Sequence, residues 1–154
     1  MKEQIINVQY AIDGKMEVIP TKMVYEKSND PNKESKIRIH FELEYKNIEL
    51  SSAPHDVMEF AIISLQKALP EDINIACCQS CMHGNFCPFG DQENEAFCLK
   101  HLKPKNARDI VAFFDDYDYI RFRKKLLDYC SEYRPIDEQE CYTYNSWSYW
   151  LANK

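Results

Sequence analysis

Glycine is nearly missing from this chain: Gly14, Gly84 and Gly90 are the only three among 154 residues. That scarcity excludes several chemistries at once. A phosphate-cradling loop, a dinucleotide fingerprint and a nucleophile elbow all need glycines at fixed spacing, and none can be written here. The chain also lacks an HExxH pair, an EF-hand loop and any internal repeat. No apolar run approaches the ~20 residues that a membrane-crossing helix requires. The start, MKEQIINVQY, has neither the basic opening nor the long apolar centre of an export signal. A soluble, cytoplasmic protein is the expectation. A basic segment is missing too. Residues 1–76 hold 9 Lys+Arg against 13 Asp+Glu, residues 77–105 hold 3 against 3, and residues 106–154 hold 7 against 9. With a net charge of −6, a phosphate-neutralising surface is not expected, so nucleic acid ranks low as a partner. An acidic surface instead favours a basic protein partner.

What is present fits one domain over 1–154 of α+β class. An apolar fraction of 45% and a charged fraction of 29% are ordinary for a folded chain with a core. Residues 1–76 read as antiparallel sheet plus one helix. Ile6, Val8, Tyr10 and Ile12 alternate with polar neighbours, and Asp13-Gly14 supplies the hairpin turn. A return strand over Lys15–Glu26 contains Pro20, which implies a sheet edge or a bulge. The polar stretch Lys27–Glu34 reads as a loop. Ile37, Ile39, Phe41, Leu43 and Tyr45 then face one way, and Lys36, Arg38, His40, Glu42, Glu44 and Lys46 the other. A helix over Pro54–Leu69, stopped by Pro70, carries the stripe Val57, Ala61, Leu65 and Ala68. Ile73–Cys77 looks like a short fourth strand. Residues 106–154 are expected to be mainly helical, with helices over Ala107–Asp116 and Ile120–Tyr133.

Between these halves lies a cysteine module, residues 77–105. Five of the chain's seven cysteines fall within the 22 residues from Cys77 to Cys98. An odd count without an export signal argues against a disulfide scaffold and for metal or redox work. The spacing Cys78-x2-Cys81-x5-Cys87-x10-Cys98 offers two thiolates from one tight turn and two more to complete a tetrahedral shell. Zinc bound by Cys78, Cys81, Cys87 and Cys98 is therefore the metal site expected, closed and structural rather than catalytic. Cys77 shares a strand face with Ile73 and Ile75 and is assigned to packing, although Cys77-x3-Cys81 is also a feasible chelate. His83, His101 or Asp91 could replace one sulfur, and the plain alternative is a set of buried, unliganded thiols.

At these residues the chain resembles a group of small uncharacterised bacterial proteins. The likeness rests on CCQSCMHGNFCPFGDQENEAFCLK (Cys77–Lys100) and YTYNSWSYWL (Tyr142–Leu151). The shared pattern is the pair Cys78 and Cys81, the turn Pro88-x-Gly90 and the run Cys98-Leu99-Lys100, with no fixed residue at position 87. It covers about half the chain and implies a bacterial setting.

Elsewhere the signals are plainer. Tyr142, Tyr144, Trp147, Tyr149 and Trp150 form an aromatic tail suited to core packing or to a partner surface. Arg121, Arg123, Lys124 and Lys125 read as a solvated, salt-bridged helix. His40, on the polar face of the third strand between Arg38 and Glu42, reads as an ordinary solvent-exposed histidine, and His55 has no carboxylate or cysteine partner in sequence. The functional expectation is a non-enzymatic protein-interaction module, of toxin-immunity type, stabilised by the cysteine/zinc cluster. The alternatives are a thiol-dependent enzyme or redox protein using Cys87 or Cys81 and, third, a zinc-containing nucleic-acid-binding module.

Overall fold

Alternation of apolar and polar side chains, clearest over Ile37–Tyr45, leaves one wetter and one drier face, and a sheet is what such a chain can build. The computed structural model describes residues 1–27, 37–90 and 94–152. By its internal contacts the chain divides into two compact units, Met1–Ile75 and Ala76–Lys154. The polar stretch 28–34, Lys36 and Asp91 lie outside the described residues.

In the first unit β1 (Lys2–Ile12) and β2 (Lys15–Lys27) form a long hairpin, followed by β3 (Ile37–Tyr45) and β4 (Ile48–Ser51). With β5 (Ile73–Ile75) they make a five-stranded antiparallel sheet in the order β4-β3-β2-β1-β5. Asp13 and Gly14 both take positive φ, +50° and +80°, as the expected hairpin turn demands. Pro20 lies inside β2, which is not an edge strand. However, the β2–β3 register runs only from Lys22 to Lys27, so at Pro20 the strand has β1 alone as a partner and no ladder bond is lost. Val8, Tyr10, Phe41, Leu43, Ile73 and Ile75 fill the core, and the buried Tyr10 hydroxyl lies 2.7 Å from Thr21 Oγ1. β4 was not expected. It is joined to β3 through Lys46 and Asn47, at φ +50° and +64°, which form a left-handed turn without any glycine to announce it.

The helix α1 (Met58–Ala68) starts four residues later than the sequence suggests. The cause is a pair of backbone bonds between His55 and Ile39, 2.7 and 2.9 Å, which hold His55 as a short sheet extension. Ala61, Ile62 and Leu65 are buried on α1. Its Gln66 side chain then covers the edge of β5, donating to Ile73 O (3.1 Å) and accepting from Ile75 N (2.7 Å).

The second unit has short elements only. A three-residue 3-10 turn, Cys78–Ser80, leads to β6 (Gly84–Asn85), which pairs with β7 (Glu95–Cys98). The helix α2 (Ala107–Asp115) follows, capped by Asn106, whose Oδ1 accepts from Asp109 N. The expected helix over Ile120–Tyr133 does not form. Instead a 3-10 helix, Tyr117–Phe122, runs into β8 (Arg123–Lys125), the third strand of the β6-β7-β8 sheet. Asp116 caps the backbone N–H of Asp118 and turns the chain out of α2. Arg121, Lys124 and Lys125 therefore do not share a helical face. Arg121 pairs with Asp118 (3.4 Å) and Arg123 with Glu95 (3.6 Å). A last helix, α3 (Trp147–Ala152), ends the described chain. Among the described residues no helix is long and apolar enough to cross a membrane.

Candidate functional site

The four expected metal ligands separate into two neighbourhoods, both within the second unit. Cys78 and Cys81 stand at either end of the tight 3-10 turn, and Cys98 lies across the β6–β7 ladder, opposite Gly84. Gly84 is obligatory there: a Cβ on it would fall 1.8 Å from the carbonyl oxygen of Cys78. Cys87 goes elsewhere. It packs against the apolar cluster of Phe97, Leu99, Ile110 and Phe114. The fully buried Cys77 closes the start of the turn, its N–H donating to Ser80 Oγ at 3.1 Å. All seven cysteines are free thiols. Among the described residues no group of three or more His, Cys, Asp or Glu side chains already stands as a metal-holding set.

Electrostatics link some of these thiols. Burial pushes Cys77 up to about 11. It raises Cys78 too, with further increments from the charges of Cys77, Asp128, Cys81 and Cys98. Cys81 is raised by burial, pulled back by the backbone N–H groups of Arg134 and His83, and raised again by Cys98 and Cys130. Thiols held protonated in this way are poor nucleophiles at neutral pH. Cys130, which falls within the helix expected over Ile120–Tyr133, thus belongs to the neighbourhood of Cys81. The signal that would have found it is the surplus of cysteines beyond the 77–98 window, masked by the apparent helical pattern of residues 120–133.

The two candidate histidines also part company. His83 lines an open hollow of about 640 Å³ with Lys100, Glu132, Tyr133 and Arg134, and burial lowers its pKa, helped by the cationic Arg134 and Lys100. His101 borders this hollow and also stacks on Phe122, with ring centroids 4.5 Å apart and an interplanar angle of 17°.

That stack is one wall of a second cavity, of about 530 Å³, built between Pro104 and Phe122. The apolar side of α2 makes it. Ile110 and Phe114 turn inward, leaving Phe113 between His101 and Phe122 at 6.4 and 5.4 Å. Tyr119 packs on Phe97 and Phe114 at 5.6 and 5.3 Å and closes the other side. Asp109, Asp116 and Asp118 bring three carboxylates to this aromatic cavity, Asp118 being paired already with Arg121, and among the described residues Lys103 is its one ammonium. Rings and carboxylates together suit a cationic side chain, which gains from both the ring faces and the negative charge.

The aromatic tail divides its roles. Trp147 is buried and Tyr142 packs against the Phe97 cluster, whereas Tyr149 is 61% exposed. Asn145 fastens the tail, donating from Nδ2 to Gln79 O (3.1 Å) and Gly84 O (2.7 Å) and accepting from Trp147 N (2.9 Å). No protein family, curated protein or solved structure matches the chain.

Proposed function

We propose that this protein is a non-enzymatic interaction module of the toxin-immunity type, which captures a basic protein by receiving one of its lysine or arginine side chains in the cavity between Pro104 and Phe122. The observation that carries this reading is the lining of that cavity: Asp109, Asp116 and Asp118 set around Phe113, Tyr119 and Phe122. A buried cation between rings and carboxylates is the kind of anchor that dominates protein interfaces. The net charge of −6 adds long-range attraction for the same partner.

The test is co-purification at low salt from the source cells, followed by sequencing and re-titration of any stoichiometric partner. The expected partner is basic. It should bind the triple variant D109N/D116N/D118N at least ~10-fold more weakly, equivalent to ~1.4 kcal/mol. Recovery of no stoichiometric partner, or of one indifferent to the triple variant, sinks the reading.

A further inference from the structure

Spacing along the chain puts Cys87 beside Cys78, Cys81 and Cys98, but backbone pairing puts Cys130 there. Cys78 N donates to Asp128 O (2.7 Å), Gln79 N to Leu126 O (3.0 Å) and Met82 N to Arg134 O (2.7 Å), while Cys81 bridges to Pro135. These ties grip the stretch 126–135 on both sides of Cys130 and lay it along the Cys78–Cys81 turn. From another side, the Gly84–Cys98 register pair and the bond from Leu99 N to His83 O (2.9 Å) bring β7 against the same turn. Three separate segments that each carry a cysteine are therefore paired around one turn. One sulfur there is already dressed as a ligand would be: Cys81 Sγ accepts the backbone N–H of His83 at 3.4 Å. Donors aimed at a sulfur favour its thiolate form and fix its direction.

We propose that Cys78, Cys81, Cys98 and Cys130 are the four ligands of a structural, zinc-class metal site, with Cys87 excluded from it. All four are protein thiols, so the shell is closed and leaves no position for a substrate. On binding, the four thiols release four protons to solvent and the divalent ion takes four sulfur bonds, leaving a centre of charge −2. Among the described residues no three of these thiols already form a metal-holding set, so binding would have to draw them together. This site requires no partner protein, so it stands or falls separately from the function proposed above.

The experiment uses the whole chain, reduced and freed of metal, titrated with Zn²⁺ or Co²⁺. One equivalent should bind, and the cobalt form should show the visible absorption of a tetrahedral thiolate centre. C130S should weaken binding at least ~100-fold, whereas C87S should bind as the unmodified protein does. Should C130S fail to fold, alkylation of the unmodified protein, mapped by mass spectrometry, gives the same answer. Zinc is expected to protect Cys78, Cys81, Cys98 and Cys130 and to leave Cys87 and Cys141 as reactive as before. Absence of stoichiometric metal overturns the proposal. So does loss of binding in C87S with retention in C130S, or zinc protection that covers Cys87 and omits Cys130.

Discussion

The two units of the chain are ordered by different means. In Met1–Ile75 the backbone orders itself: β1 and β2 alone share eleven register pairs, and side chains need only fill the space beneath them. In Ala76–Lys154 the strands are two to four residues long and cannot hold each other. There, individual polar side chains pin separate stretches of backbone. Asn85 accepts from Tyr144 N, Thr143 donates to Met82 O, Asn145 ties Gln79, Gly84 and Trp147, and Ser80 serves both Cys77 and Tyr133. A ladder shares its load among repeated bonds, whereas a pinned assembly concentrates it. The second kind is the sort of region where one bound ion changes most.

The largest effect should come from Gly84→Ala. The new Cβ meets a backbone oxygen rather than a side chain, so the turn bearing Cys78 and Cys81 must open. A loss of about 4 kcal/mol or more is expected, the range reached when backbone strain and broken packing coincide. Urea unfolding and hydrogen exchange across residues 76–90 would read it. A stability within ~1 kcal/mol of the unmodified protein would show that the turn relaxes more easily than its geometry says. Phe41→Ala comes next, at ~3–5 kcal/mol, because Phe41 is fully buried in the middle of β3. It tests the ladder at its core, and a loss under ~2 kcal/mol would mean that the sheet depends little on side-chain filling beneath it.

How legible each unit was in sequence follows from the same contrast. Period-two patterning needs several residues to declare itself, and Ile37–Tyr45 has them; β3 follows that alternation from Ile39 to Leu43, while Ile37 at the strand's start is exposed. The two-residue β6 and the three-residue β8 give no period at all. Over residues 120–133 the basic and apolar spacing mimicked a helix, while the deciding forces were nonlocal: the β7–β8 register and the bonds from Cys78 and Gln79. The candidate site suffered most. Cys78, Cys81 and Cys98 could be grouped by nearness along the chain, but so could Cys87, which packs against Phe97 and its neighbours. Cys130 is joined to the others only through pairings that no spacing rule contains.

A milder probe of the pinned unit is Asn145→Ala. It removes two bonds to buried-side carbonyls and the acceptor for Trp147 N, so a loss of about 2 kcal/mol is expected. The same kind of change in the ladder, Gln66→Ala at the edge of β5, should cost about half as much, since its two backbone partners lie at a strand edge where water can replace the amide. Equal losses in a urea series would erase the distinction between the two modes of order.

The smallest effect tests why one turn was readable and another was not. Asp13-Gly14 and Lys46-Asn47 adopt the same left-handed pair of φ angles, yet the second has no glycine and places a lysine in that region. Lysine at φ +50° sets its Cβ against the following carbonyl, a cost of roughly 1 kcal/mol, whereas asparagine tolerates this region and glycine enters it freely. Replacing the pair by Asn-Gly, as K46N/N47G, should therefore stabilise the protein. Part of the gain is returned because glycine makes the unfolded chain more flexible, so the net rise should be about 0.5 kcal/mol. It would appear as a higher urea midpoint with an unchanged slope. A fall in the midpoint would mean that Lys46 contributes through its ammonium, which lies 5.3 Å from the centre of the Tyr45 ring, and that this contact outweighs the strain of its own backbone.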